Sequence, residues 1–288
     1  MSLRANKLLK YLPLEIQYRE IKALEETERQ YLAAQVRGRL FCFGLSLVMA
    51  IVITHPRLNQ WVETKLQLNP IASISFAKVT SDKPQESDKI AAALVNYARA
   101  HNWSLRTGET RYNIFYVQGM FPNGVSNDNA PNQFNDSRFL VEVNPTPRLI
   151  GAWDASVEPG NHYTKQPMNA LGAAHIQVPG QYKAWRIGMH KNRELALVQV
   201  APVDISRDKN RNGKADSGDL KQRALIGANQ HSAHDQQLVD DASAGCPVGR
   251  TSKGHQEFMN YLQNDADYKV DKNLIFSTAF ISVKDLKF

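Results

Sequence analysis

Residues 173–203 read AAHIQVPGQYKAWRIGMHKNRELALVQVAPV, and this stretch decides the fold class. Three short β-rich runs follow one another in it: Ala173 to Val178, Ala184 to Met189 and Leu195 to Val203. Tyr112 to Val117 and Arg138 to Val143 have the same character upstream, and Leu274 to Val283 reads as a closing strand. No regular helical crossover separates these runs. The pattern therefore predicts an α+β domain with a predominantly antiparallel sheet. Helices are expected at its margins: Asp88 to His101 places Ile90, Leu94 and Tyr97 on one face, and Thr251 to Leu262 does the same with Phe258, Tyr261 and Leu262. The Asn/Asp-rich segment from Asn127 to Asp136 reads as a surface loop. No internal repeat is visible.

The chain has 288 residues, 42% apolar and 22% charged, which suits one good-sized folded domain or two modest ones. Its net charge of +7 is spread out, with no basic stripe carrying interleaved aromatics, so nucleic acid is not an expected partner. Residues 40–54, from Leu40 to Thr54, carry no charge, and Arg37 and Arg39 stand directly before them. Fifteen residues is short of the roughly 20 of a usual membrane span. A charged segment of 39 residues precedes the run, and no small-x-small cleavage site follows at Thr54-His55-Pro56-Arg57. The expectation is an uncleaved single-pass signal anchor over 40–56 with its N-terminus in the cytoplasm; a buried core helix is the plainer alternative. Residues 1–39 would then be a cytoplasmic helical segment, with an exposed helix over 13–36. Residues 57–72 would be a linker, and 73–288 an extracytoplasmic domain.

The chemistry is concentrated around one thiol. There are two cysteines, and Cys42 lies in the apolar run, leaving Cys246 alone in the main domain. Cys246 ends Ser243-Ala244-Gly245-Cys246, and His231 lies fourteen intervening residues upstream. A thiol is mostly protonated at neutral pH and needs a base, which His231 would supply. Ser232 would orient the imidazole through its hydroxyl or carbonyl, and the backbone N–H groups near Gly245 and Cys246 would face an oxyanion. The plainer reading is an inert cysteine beside a surface histidine.

These residues resemble the bacterial L,D-transpeptidases, in which a histidine precedes Ser/Thr-His-Gly-Cys and an arginine follows. By that resemblance Cys246 is the nucleophile acylated by a peptidoglycan stem peptide, His231 is the base, and Ser243 and Gly245 frame the thiol. Arg250 and Ser243 would contact substrate. The chain departs from the family at Ala244, where the family has histidine, and in the displacement of the arginine to Arg250. The match covers residues 231–250. The implied activity is a Cys-His acyl transferase or peptidase; the alternative is a non-enzymatic envelope-binding module, which Ala244 favours.

A second motif runs from Asp208 to Asp219. Its spacing fits a twelve-residue calcium loop with Asp208, Asn210, Asn212, Asp216 and Asp219 at oxygen-ligand positions, Gly213 at the turn and Lys214 giving its carbonyl. Calcium would be structural, with no metal required for catalysis; an Asx-rich turn without metal is the plain alternative. Zinc on His231, His234 and Cys246 lacks a fourth ligand. Asp154 and Glu158 as paired glycosidase carboxylates are weaker still, since such close carboxylates are usually solvated turn residues. His162, His175 and His190 carry no motif and are expected to be structural or exposed.

Overall fold

The structure is a computed structural model, and it describes residues 86–288. The expected cytoplasmic helix, anchor and linker lie outside the described residues. Among the described residues, no helix is long and apolar enough to cross a membrane.

The domain is α+β and mostly strand. Helix α1 (Glu86–Ala100) opens it. Strands β1 (Tyr112–Gln118), β2 (Asp136–Val143) and β3 (Pro147–Ser156) follow as an antiparallel meander, and a short helix, α2 (Asn161–Lys165), comes next. The stretch that decides the fold class forms β4 (Ala173–Ile176), β5 (Gly180–His190) and β6 (Glu194–Gln199). Strand β6 stops before Pro202, and β7 (Val203–Asp208) starts a different sheet, so the run expected from Leu195 to Val203 is divided between two layers. A proline has no N–H for a ladder, which makes it a natural break. Then come β8 (Leu220–Ala224), β9 (His231–Ser232), β10 (Val248–Gly249), α3 (Ser252–Gln263), α4 (Ala266–Val270) and β11 (Phe276–Ser282).

Eight strands form the main sheet in the order β6-β5-β11-β1-β2-β3-β10-β9, and β4-β7-β8 form a small second sheet. Pairing is mainly antiparallel, but β11 runs parallel to β1 and β10 parallel to β9. An isolated bridge between Leu197 and Gln230 joins β6 at one edge to the residue preceding β9 at the other. The sheet therefore curls until its two edges meet.

The two-residue alternation of strands sorts the core onto two faces. Tyr112, Ile114 and Tyr116 of β1 point into one cluster with Trp185, Ile205, Phe258 and Phe280. Phe115 and Val117 point into the other, against Ile90, Leu94, Val95 and Ala98 of α1. Both faces of β1 are thus covered, which is why its sequence reads as an almost unbroken apolar run.

Asp265, fully buried, ties the ends of the domain together. It accepts both guanidinium nitrogens of Arg106 at 2.7 and 2.6 Å and the N–H groups of Tyr112, Asp267 and Tyr268. Removing one partner of a buried pair strands the other charge. Asp265→Ala is expected to destabilise the domain by about 3 kcal/mol or more, measured by urea denaturation. A loss below 1 kcal/mol would show that the pair is dispensable.

Candidate active site

Parallel pairing of β9 with β10 builds the site. Val248 sits opposite His231 and Gly249 opposite Ser232, and the Ala233 N–H donates to the Gly249 carbonyl at 2.8 Å. Neighbouring strands lie about 4.8 Å apart, so Val248 and Gly249 pass directly beside His231 and Ser232, and Cys246 lies two residues before that pairing. Cys246 and His231, fourteen intervening residues apart in sequence, line one cavity of about 220 Å³. His190, Lys191, Gly227, Ala244 and Gly245 line it with them.

The turn before Cys246 is held by Ser243, which is fully buried. Its hydroxyl donates to the Cys246 carbonyl at 2.8 Å and accepts from the Gly245 N–H at 3.1 Å. Its own carbonyl accepts from the Gly160 N–H. Ser243, for which a substrate contact is expected, shapes the loop and is not among the residues that line the cavity. Gly245 has φ +119°, and a Cβ there would collide with the Ala174 carbonyl oxygen, so only glycine fits. Because the Gly245 N–H is committed to Ser243, it is not available to an oxyanion. The N–H of Cys246 itself has no protein acceptor among the described residues, which narrows the expected oxyanion site to that donor.

Hydrogen bonds fix the imidazoles. His231 Nδ1 lies 2.9 Å from the Ser232 carbonyl oxygen, which can only accept. The proton is therefore on Nδ1, and the lone pair is on Nε2. The Ser232 hydroxyl instead accepts from the His234 N–H. His190, expected to be structural or exposed, stacks face to face on His231 with centroids 4.1 Å apart and planes 9° from parallel. The Asn229 carboxamide oxygen accepts from the Gln199 N–H, which leaves its Nδ2 to donate to His190 Nδ1 at 2.9 Å. The His190 proton is accordingly on Nε2. No sequence motif marks His190; its place follows from the β5–β6 hairpin, in which His190 pairs with Glu194, while Leu197 of β6 is bridged to Gln230 just before His231.

Glu194 lies behind the base. Its carboxylate is 3.8 Å from His231 Nδ1, 3.3 Å from His234 Nε2 and 3.9 Å from His255 Nε2. Burial pushes the His231 pKa down to about 3, and His190 adds to that effect. Burial pushes the Cys246 thiol up to about 11, opposed by the Asn229 N–H and Lys191. The resting pair is therefore a neutral thiol and a neutral imidazole, not a thiolate–imidazolium pair.

Arg250 does not line the cavity. Its guanidinium is bonded to Gln237 at 2.8 Å and lies 3.9 Å from Asp154, so the three-residue displacement carries it away from the thiol. Asp154 pairs with Arg250, whereas Glu158 is buried and accepts from Asn129, so the two do not form a facing carboxylate pair. His234 is solvent-facing and turned to Glu194, not to Cys246. Among the described residues no cluster of three or more His, Cys, Asp or Glu side chains is arranged to hold a metal.

The 208–219 loop closes on itself. Asp208, fully buried, accepts from the N–H groups of Asn212 and Gly213. Asp216 accepts from the amides of Asn210 and Asn212, Asp219 accepts from the Asp216 N–H, and the Lys214 N–H donates to Asn212.

No family model, curated protein or solved structure matches this chain.

Two further carboxyl groups, Asp136 and Glu158, are buried. Asp136 accepts from the N–H groups of Gly119 and Val157. Burial raises its pKa toward neutrality, and burial followed by the charge of Asp136 does the same for Glu158. Raised carboxyl pKa values stabilise the fold most below the ordinary carboxylate range, and that contribution is lost as pH rises through neutrality. Glu158→Gln keeps an acceptor for Asn129 and removes one charge. It is expected to flatten the decline in melting temperature between pH 5 and 8, followed by calorimetry. The thiol predicts a second pH effect: iodoacetamide labelling of Cys246 should rise about tenfold per pH unit from 8 to 10. A plateau reached by pH 7 would contradict the neutral resting state.

Proposed function

We propose that the chain is a cysteine acyl transferase or peptidase of the cell envelope, resembling the L,D-transpeptidases and acting on peptidoglycan stem peptides. The observation that carries this reading is the shared cavity. The Cys246 thiol and the His231 imidazole line it, with His190 beside them, and His231 is fixed with Nδ1–H on the Ser232 carbonyl and the Nε2 lone pair free.

In the reaction, the Cys246 thiol leaves its resting acceptor, the Gly227 carbonyl at 3.6 Å, and its proton would move to His231 Nε2 as Sγ attacks the scissile carbonyl carbon. The carbonyl oxygen takes the electron pair and is met by the Cys246 N–H. The tetrahedral adduct collapses as the C–N bond breaks, and His231 returns the proton to the departing amine. A thioester remains on Cys246. Water or an acceptor amine then attacks it, giving its proton to His231, and the thiol is regenerated. The resting thiol is neutral, so proton transfer accompanies attack instead of preceding it. Residues 40–54 would hold the enzyme at the membrane with the catalytic domain outside the cytoplasm.

A second reading, a non-enzymatic envelope-binding module, is favoured by the same electrostatics. The thiol is raised to about 11 and the base lowered to about 3, both away from the poise of a reactive pair. In that reading the 208–219 loop would be stapled by calcium. Millimolar calcium would then raise the melting temperature, and Asp208→Ala would abolish the rise.

Intact-mass spectrometry after incubation with muropeptides or a carbapenem tests the enzyme reading. One covalent adduct on Cys246 is expected, absent in Cys246→Ser and formed about 100-fold or more slowly in His231→Ala. Chelator should leave its rate unchanged. An unmodified thiol after long incubation would turn the reading to the binding module.

A further inference from the structure

The thiol cavity adjoins a second one of about 430 Å³, and Tyr163, Met168, Ile226 and Ala244 line both. Strand pairing accounts for the junction. Gly245 lies against the Ala174 carbonyl in β4, and Ala174 is paired with Arg207 in β7. Arg207 lines the second cavity.

Arg207 is 7% exposed. Burial pulls its pKa down, and no neighbouring carboxylate pulls it back. A buried cation without a counter-charge is costly, and a guanidinium is the side chain best matched to a planar carboxylate. Its donors are also incompletely used. With the Gln222 amide oxygen turned inward, that oxygen accepts from Nε at 3.0 Å and Nη2 at 3.1 Å. Nη1 reaches the Gly172 carbonyl at 3.4 Å. Three of the five N–H groups of a guanidinium are thereby engaged, and two remain. Exposed Met168 and Leu225 flank the opening and would cover aliphatic parts of an extended chain. Ala244, with its small side chain, stands on the wall that the two cavities share.

We propose that Arg207 binds a carboxylate of the acyl donor, so that the second cavity is a subsite for an acidic residue of a peptide whose scissile carbonyl lies at Cys246. The proposal rests on the acyl-transfer reading for the position of the bond attacked. It assigns Arg207 a specificity role, and the thiol and imidazole chemistry is unchanged by it.

Titration calorimetry on the full-length Cys246→Ala chain tests it. The probes are a synthetic L-Ala-γ-D-Glu-L-Lys-D-Ala tetrapeptide and counterparts with each carboxylate amidated in turn. Amidation at one position is expected to weaken binding about tenfold or more. Arg207→Gln should bind the acid and that amide alike, and Arg207→Lys, which keeps the charge, should retain part of the preference. Ala244→Phe, which adds a large ring at the wall shared by the two cavities, should lose the preference. An acid preference that survives in Arg207→Gln, or no binding of any probe at millimolar concentration, overturns the proposal. Acid-selective binding without any adduct on wild-type Cys246 would remove the acyl-transfer reading and leave the anion subsite standing.

Discussion

The parallel pairing of β9 with β10 is the interaction on which the site depends. Each strand is only two residues long and has little stability alone. They persist because β10 is paired with β3 on its other side, while Gln230 bridges back to Leu197 of β6. The seam of the curled sheet is therefore where His231 and Cys246 are brought together. The side chain of Gln230 adds a bond to Thr278 of β11 at 2.8 Å, coupling the seam to a central strand.

Around this seam the molecule uses buried polar groups as fixed struts. Ser243 closes the turn before the thiol, Asn229 fixes one imidazole, and the Ser232 carbonyl fixes the other. Each strut is a hydrogen bond whose donor and acceptor roles follow from chemistry alone, so the tautomers of His190 and His231 are determined together. Glu194 sits among three imidazoles, and burial raises its pKa against the opposing effects of His234 and the Ser232 N–H. Rigid placement comes with desolvation: the same burial that orders the groups favours neutral forms of both thiol and imidazole.

Much of the scaffold was legible in the chain. The helices at Asp88 to His101 and Thr251 to Leu262 correspond closely to α1 and α3, because their apolar residues recur at helical spacing. Strands β1, β2, β5 and β11 fall on the β-rich runs. Strand β3 was missed, since Pro147 and Gly151 dilute its pattern, and so was β8, whose Leu220-Lys221-Gln222-Arg223-Ala224 is mostly exposed. The seam strands β9 and β10 are too short to give any periodic signal.

The sequence by itself determined the α+β class, because alternation and helical spacing are local properties, and it marked Cys246 and His231 as a pair to examine. Only the tertiary structure decided which groups accompany them. His190 enters the site because the β5–β6 hairpin meets the segment before β9 through Leu197 and Gln230, and Arg207 adjoins it because β4 lies between β7 and the Gly245 turn. Arg250 leaves it because Asp154 and Gln237 hold the guanidinium elsewhere. These placements arise from contacts between residues dozens of positions apart, which no local pattern encodes.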